Sequence, residues 1–337
     1  MTKRFITLGE IMMRLTPPNH HTIAQTTSFD AVYGGAETNV AIGLAAFGVP
    51  VQVMTGLPKN DLGKAVKRTL KQYDAGTDFI VEREGRLGVY YLEKGFAYRP
   101  SKVIYDRSNS VFSKLDLNDV DFEAAFKDQS WFHFSGITPA LNEQMFEVTL
   151  EAVKAAKSQG LFVSCDLNYR AALWSFETAR KYMSKLLPFV DLVFGYEPLA
   201  LPSEDGTDKK DGLDRLASID TLKPYLAEIH ERYDIEYIAF TQRKNFTNSR
   251  NRLQGFISHR NNIVQTAQFE TDILDRVGTG DAFSTGIIYG LMENWELKET
   301  VQFAINNMLY KHAVNGDYHT ADIQTIFHIT DSADIKR

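Results

Sequence analysis

Residues 275–283, Asp-Arg-Val-Gly-Thr-Gly-Asp-Ala-Phe, are the part of the chain best suited to chemistry, and a helical pattern follows them to about Met292. Gly278 and Gly280 allow a sharp turn that gathers backbone N–H groups, and the helix adds unpaired amides and the positive end of its dipole. This arrangement suits the terminal phosphate of a nucleotide. Asp281, at the start of the helix, is expected to be ionised at neutral pH. The alternative is an ordinary glycine-rich turn in which Asp281 only caps the helix.

A second pair of glycines, Gly34 and Gly35, precedes another helical pattern, with Asn39 in its first turn. Paired glycines let a ligand touch the backbone, and the Asn39 amide can both donate to and accept from a hydroxyl group. The alternative is a turn followed by a helix cap.

Two arginines are candidates for binding an anion. Arg170 ends a polar run that begins at Asp166, directly after an apolar strand pattern, where open α/β sheets bind ligands. Arg107 follows Tyr105 and Asp106 at the edge of another strand pattern. Either guanidinium group could bind a carboxylate or a phosphate through two parallel hydrogen bonds. Each could equally be one half of a surface ion pair.

The elements that must position these residues alternate between strands and helices. Short apolar strand patterns occupy residues 4–8, 51–55, 131–134, 161–166, 192–194 and 237–241, and clear helical patterns occupy 37–47 and about 141–157. This alternation predicts a mostly parallel sheet covered by helices on both faces, in three α/β/α layers. Residues 22–33 and 87–104 lack a long helix between their strand patterns, and we predict a small antiparallel sheet from them.

Composition excludes several classes of protein. The 337 residues carry a net charge of −6 and are 44% apolar, which is an ordinary globular balance and disfavours nucleic-acid binding. The chain has one cysteine, Cys165, and the sequence shows no signal peptide, no membrane-length apolar stretch and no metal-ligand spacing of its histidines. We therefore expect a cytoplasmic protein with Cys165 buried and reduced. The charged run 203–212 is expected to be a flexible, solvated loop without a site.

Together these clusters resemble the ribokinase-like (phosphofructokinase-B) family of sugar kinases over nearly the whole chain. Residues 275–283 resemble the family's carboxyl-terminal motif, and residues 34–41 and 8–10 resemble two further motifs. The resemblance implies a large α/β domain of residues 1–10, 34–86 and 108–330. It also implies a β-sheet lid of residues 11–33 and 87–107, and a homodimer formed through the lids.

Within the family the chain is most similar to 2-keto-3-deoxygluconate kinases, as judged from residues 99–107, 166–174, 241–251 and 311–317. This implies ATP and Mg²⁺ as co-substrates and phosphorylation of the 6-hydroxyl group of the sugar acid. Asp281 would be the catalytic base, with an anion hole formed by the amides of Gly278, Thr279 and Gly280. The remaining implied residues bind the sugar acid (Gly34, Gly35, Asn39, Tyr90, Tyr105, Arg107 and Arg170) or the nucleotide (Thr241, Arg243 and Asn306).

The chain departs from the family pattern in places that concern phosphate and metal binding. Arg276 stands where the family usually has threonine. The family's Asn-x-x-Glu motif is absent near residues 194–199, where Tyr196 and Leu199 replace the polar pair, so no metal ligand is assigned. The glycine-bearing loop after Thr241 is replaced by residues 242–245, Gln-Arg-Lys-Asn. The alternatives are a fructokinase, a 5-keto-2-deoxygluconate kinase or a non-catalytic regulator that binds a sugar acid or a nucleotide.

Overall fold

The computed structural model describes residues 3–260 and 262–329, which form two β-sheets and ten α-helices. The strands are β1 (Phe5–Leu8), β2 (Met12–Thr16), β3 (Asp30–Gly34), β4 (Val51–Pro58), β5 (Ala75–Gly76), β6 (Ile80–Arg83), β7 (Gly88–Glu93), β8 (Lys102–Asp106), β9 (Trp131–Ser135), β10 (Phe162–Asp166), β11 (Leu192–Phe194), β12 (Tyr237–Thr247), β13 (Arg250–His259), β14 (Asn262–Gln265) and β15 (Phe269–Asp272). The helices are α1 (Ala36–Ala46), α2 (Asp61–Gln72), α3 (Phe122–Phe126), α4 (Ile137–Ala140), α5 (Glu143–Ser158), α6 (Phe176–Leu186), α7 (Ile219–Tyr233), α8 (Thr279–Met292), α9 (Leu297–His312) and α10 (Ile323–Phe327).

The large sheet has the strand order β14–β13–β12–β11–β10–β9–β1–β4–β5, with β15 paired to β13 and β6 to β4. The strands from β4 to β12 along this order are parallel, and β13 and its partners are antiparallel to their neighbours. One face packs on α1, α2, α8 and α9, and the other on α5, α6 and α7. The predicted three-layer α/β/α arrangement is therefore confirmed.

Most of the long helices begin with a side-chain cap, and α8 does not. The caps of α2, α5, α6 and α7 are Asn60, Asn142, Ser175 and Ser218, whose side chains accept bonds from amides of the first turn. Helix α8 instead begins at Gly278, whose φ of 74° is in the left-handed region and which provides no capping side chain. The first turn of α8 can therefore offer its amides to a ligand.

The small sheet consists of β3–β2–β7–β8 and stands apart from the large one. The outer pairs β2–β3 and β7–β8 are antiparallel, but the central pair β2–β7 is parallel. The prediction of an antiparallel sheet is therefore wrong for its centre. Parallel strands need a long crossover connection. Between β2 and β7 the chain forms helices α1 and α2 and strand β4 of the large sheet.

The charged loop predicted to be solvated is partly buried. Lys210 and Asp208 are buried, with Lys210 Nζ 2.7 Å from an Asp208 oxygen, and Arg180 Nη2 lies 3.4 Å from the other oxygen. Their opposite charges satisfy one another, which allows them to leave water. The prediction is wrong for Asp208 and Lys210, because composition alone does not show which charges meet, whereas most of residues 203–212 are exposed as predicted.

The predicted burial of Cys165 is confirmed. Cys165 is a buried free cysteine on β10. His133, which the sequence places among apolar residues, is buried and bonded to the Ser164 hydroxyl at 2.8 Å. In the part of the chain that the structure describes, no helix has the length and apolar character needed to cross a membrane.

Candidate active site

A cleft of about 580 Å³ lies between the small sheet and the carboxyl ends of the parallel strands. Open α/β sheets bind their ligands at this edge. The cleft brings together most of the residues singled out by sequence: Gly34, Gly35, Asn39, Tyr90, Tyr105, Arg107, Arg170, Arg243, Gly278, Thr279, Gly280 and Asp281.

Asp281 lies in the first turn of α8 and is held by Asn39 of α1. Asn39 Nδ2 donates a hydrogen bond of 2.6 Å to Asp281 Oδ2. Burial raises the pKa of Asp281 to about 7, and the neighbouring carboxyl groups of Asp166 and Glu37 act in the same direction, against the lowering effect of the Asn39 bond. The expectation of a fully ionised Asp281 at neutral pH is therefore wrong. Removal from water outweighs the effect of the helix terminus.

The turn before α8 presents backbone amides to the cleft. Among the described residues the amides of Gly278, Gly280 and Asp281 have no acceptor, whereas the Thr279 amide reaches the Arg276 carbonyl at 3.4 Å. A Cβ atom at Gly278 would collide with the carbonyl oxygen of Asp317, so this position requires glycine. The amides of Gly278, Gly280 and Asp281 are therefore better placed to bind an anion than the predicted set of Gly278, Thr279 and Gly280.

Two buried carboxylates beside this turn are bound by cations of the small sheet. Arg14 of β2 lies 3.0 Å from an Asp275 oxygen and 2.9 Å from an Asp317 oxygen, with side chains only 3%, 1% and 2% exposed. Tyr90 of β7 donates to Asp317 at 3.0 Å, and Lys94 lies 3.0 Å from Asp275. The small sheet is therefore joined to the turn by buried ion pairs.

The same carboxylates also fix the backbone around the turn. Asp275 accepts bonds from the amides of Val277 and Gly316, both at 3.1 Å. Below them the buried Lys311 donates to the Val314 carbonyl at 2.9 Å, and burial lowers the pKa of its ammonium group to about 8. Sequence reasoning missed Arg14, although a charged residue on the otherwise apolar face of a strand was a usable signal.

Arg107 is not a free cation. Its Nε atom donates to Glu10 at 2.8 Å, and its side chain is 12% exposed. Glu10 is buried and accepts a further bond of 2.5 Å from the Ser110 hydroxyl. The sequence predicts that Arg107 binds a substrate carboxylate, whereas in the structure its partner is a carboxylate inside the protein.

Three other arginines line the cleft without an ion pair among the described residues: Arg170, Arg243 and Arg276. Arg276 Nη2 donates to the Asn245 side chain at 3.4 Å. Burial lowers the pKa of Arg243, and the charges of Arg276 and Arg170 lower it further. The cleft therefore carries positive charge that an anionic ligand can neutralise.

Two predicted nucleotide-binding residues do not line this cleft. Asn306, on α9, directs its amide to the carbonyls of Ile326 and Phe327 at 3.2 and 3.5 Å, so the structure does not support its predicted role. Thr241 stands two positions before Arg243 on β12 and is part-buried. The spacing of the motif could not show which way either side chain points.

The described residues near the cleft offer no cluster of carboxylates for Mg²⁺. Leu199 is fully buried, and the Tyr196 ring packs edge-on against Phe240 with centroids 5.1 Å apart. Glu197, between them, faces Lys210 at 3.5 Å and Arg180 at 3.7 Å. Within residues 3–260 and 262–329 no group of three or more candidate ligands could hold a metal ion.

A comparison with protein families matches residues 2–308 to the pfkB family of carbohydrate kinases. The chain belongs to this family. It is therefore a sugar kinase with a ribokinase-like α/β fold, and both predictions are confirmed. The pfkB fold accounts for the large sheet, the separate small sheet and the cleft between them.

Individual pfkB relatives are similar to the chain over almost its full length. A 2-dehydro-3-deoxygalactonokinase from Haloferax volcanii is 30% identical over 318 residues, which are 94% of this chain and 93% of that protein. A 5-dehydro-2-deoxygluconokinase from Clostridium perfringens is 22% identical over 325 residues, covering 94% and 90%. The crystal structure of a 2-dehydro-3-deoxygluconokinase from Thermotoga maritima has a TM-score of 0.91 and 35% identity, covering 98% of this chain and all of that one.

Proposed function

We propose that this kinase transfers the γ-phosphoryl group of ATP to the 6-hydroxyl group of 2-keto-3-deoxygluconate, with Asp281 as the catalytic base. The observation that carries the proposal is that one cleft holds Asp281, the free amides of the α8 turn and the unpaired cation of Arg170. A base, an anion hole and a cation are what the transfer of phosphate to an acidic sugar requires. The similarity to relatives named for such sugar acids supports the choice of substrate.

Asp281 orients the hydroxyl group and receives its proton. Asn39 binds one carboxylate oxygen, which leaves the other to accept the hydrogen of the substrate hydroxyl. The bond between the sugar oxygen and the γ-phosphorus forms as the bond to the leaving ADP breaks, and the proton passes to Asp281. Because the transition state is loose, little proton transfer is needed until late in the reaction, and a carboxylate is an adequate base.

The amides at the start of α8 stabilise the charge on the phosphoryl group. Those of Gly278, Gly280 and Asp281 are already oriented and need not reorganise during the reaction, which is the condition for effective electrostatic stabilisation. ATP is the proposed donor, and we expect Mg²⁺ to enter with it, because the described residues offer no carboxylate cluster of their own.

Arg170 selects an acidic sugar. Its guanidinium group is exposed to the cleft without an acidic hydrogen-bond partner among the described residues, so a substrate carboxylate can bind it through two hydrogen bonds. Arg107, already bound to Glu10, would contribute less. A 5-keto-2-deoxygluconate kinase remains the second candidate because it also acts on a sugar acid, and one relative has that name. A fructokinase would leave Arg170 without an anion.

A substrate panel tests the function. ADP release should be measured with 2-keto-3-deoxygluconate, its galactonate epimer, 5-keto-2-deoxygluconate, fructose and ribose. We expect a keto-deoxy acid to give a kcat/KM about 100-fold or more above either neutral sugar, and Asp281→Asn to lower kcat by about 10²–10⁴. Asp61→Asn on α2, whose carboxyl group is 97% exposed, is the matched control. A preference for a neutral sugar would refute acid recognition. Ligand binding measured by calorimetry without any turnover would favour the non-catalytic regulator.

The outer face of the small sheet supports the proposed homodimer. Ile104 on β8 is 54% exposed, pairs with Tyr91 of β7, and lies on the face opposite Tyr105, which points into the cleft. Phe29, 38% exposed, packs edge-on against Tyr91. An apolar sheet face of this kind is stabilised by pairing with a second copy. Ile104→Lys should yield monomers in light scattering, and a wild-type protein that is already monomeric would refute the proposal.

The cytoplasmic location is part of the same proposal. ATP is available there, and the buried free thiol of Cys165 suits a reducing compartment.

A further inference from the structure

Arg243 and Arg276 reach the same cleft from distant parts of the chain. Arg243 is on β12, and Arg276 belongs to the turn that leads into α8. Both line the cleft together with Gly278 and Gly280, and burial and the charge of Arg276 lower the pKa of Arg243, so the two guanidinium groups lie near each other. The cleft thus has two cations next to its anion-binding backbone.

These two arginines differ from the paired arginines nearby. Arg14 and Arg107 are each bound to buried carboxylates, whereas neither Arg243 nor Arg276 has an ion pair in the part of the chain that the structure describes. Among the described residues, the Arg276 guanidinium group donates only to the neutral side chain of Asn245. Placing like charges side by side costs free energy, and an anion bound between them recovers it.

The number of cations indicates the charge of the ligand. One guanidinium group, Arg170, is enough for the single carboxylate of a sugar acid. Two more beside an amide-rich turn match an anion with several charges and oxygens spaced along a chain, as in a nucleoside diphosphate or triphosphate. Tyr196 and Leu199 replace the polar pair of the family's Asn-x-x-Glu motif, which would support metal binding near the phosphates. Both side chains pack into apolar surroundings.

We propose that Arg243 and Arg276 form a polyphosphate clamp, which binds the phosphate chain of the donor and neutralises its charge, since the described residues include no carboxylate cluster that could hold a metal ion there. The proposal rests on the proposed function only for the identity of the donor as a nucleotide. In this proposal Arg243 and Arg276 bind directly the phosphates that are not transferred. Arg276 stands where the family usually has threonine.

Calorimetry on three variants tests the clamp. The probes are ADP and inorganic tripolyphosphate, each measured with Mg²⁺ and with EDTA, on wild type, Arg243→Gln and Arg276→Thr. The control is Arg250→Gln, an exposed arginine on β13 paired with Glu270 away from the cleft. We expect wild type to bind both probes in EDTA within about tenfold of its affinity with Mg²⁺. Each clamp variant should bind both probes about tenfold or more weakly, and the control should match wild type.

Two results would overturn the clamp: unchanged affinity of both clamp variants for ADP and tripolyphosphate, or no measurable binding of ADP by wild type without Mg²⁺. Binding of the sugar acid, measured on the same preparations, should be retained, which separates loss of the clamp from misfolding. A protein that phosphorylates sugar acids although its arginine variants bind ADP normally refutes the clamp alone. A protein that binds tripolyphosphate through both arginines but phosphorylates no sugar acid refutes the proposed function alone.

Discussion

The ionisation of Asp281 should control the rate of phosphoryl transfer near neutral pH. Its pKa is raised to about 7 by burial, and only the ionised form can accept the hydroxyl proton. A group with this pKa is about 10% ionised at pH 6 and about 90% ionised at pH 8. The kcat/KM for the sugar acid should therefore rise about ninefold across this interval, as measured by ADP release at saturating nucleotide.

Asn39→Ala separates the ionisation of Asp281 from that of the nucleotide. The variant loses the hydrogen bond that favours the ionised carboxylate, so its pH–rate profile should shift to higher pH than that of wild type. The ionisation of ATP is the same in both assays and cannot produce the difference. Asn262→Ala, at an exposed position on β14, is the control and should keep the wild-type profile. Coincident midpoints for Asn39→Ala and wild type, or a flat wild-type profile, would refute the assignment.

Asp281→Asn should increase the stability of the protein at pH 8, although it lowers kcat. The folded protein keeps the Asp281 proton up to about pH 7, whereas an unfolded carboxyl group loses it near 3.8. Because the folded state binds more protons between these values, its stability falls as the pH rises from about 4 to 7. Asparagine removes this loss, so the free energy of unfolding should increase at pH 8 by on the order of 4 kcal/mol and change little at pH 4. Denaturant titrations at the two pH values measure the difference.

Three further substitutions test separate parts of the cleft. Arg170→Ala should raise KM for the sugar acid by about tenfold or more while affecting a neutral sugar far less, and equal losses in initial-rate assays would contradict carboxylate recognition. Gly278→Ala should destabilise the fold by about 1–3 kcal/mol and suppress turnover, because of its left-handed φ and the nearby carbonyl; Gly280→Ala, whose added methyl group meets nothing within 4 Å, should fold normally. Arg14→Met leaves the buried Asp317 without an ion-pair partner among the described residues and Asp275 with Lys94 alone. It should lower the free energy of unfolding by about 3–5 kcal/mol in denaturant titrations, and wild-type stability would show that the Arg14 pairs contribute nothing.

The parallel sheet and the glycine turn before α8 could be predicted because their signals are local. Buried strands such as β1 and β10 are short apolar runs, and the turn before α8 is a contiguous glycine motif. Helix α5 likewise has its apolar spacing and its capping Asn142 within one stretch of chain. Each of these follows from neighbours in sequence, which is the information that periodicity and turn chemistry use.

The partners of the charged residues could not be predicted, because they come from distant segments. Glu10 meets Arg107 across 97 positions, and Arg14 meets Asp275 across 261. The raised pKa of Asp281 also depends on the depth of burial and on carboxyl groups from other elements. Sequence spacing indicates that an arginine is present, but only the tertiary structure shows whether its charge is already neutralised.

The ion pairs of Arg14 restrict how a sugar can enter. Moving the whole small sheet away from the large one would separate the Arg14 guanidinium group from both carboxylates. Three buried charges would then be exposed or unpaired, at a cost of about 3–5 kcal/mol. All five residues of the outermost strand β8 are exposed. Arg107, directly after β8, binds the buried Glu10 and fixes this end of the strand. We therefore expect the cleft to open by displacement of β8 about this fixed end, while β2 stays in place and holds the turn before α8 in position between catalytic cycles.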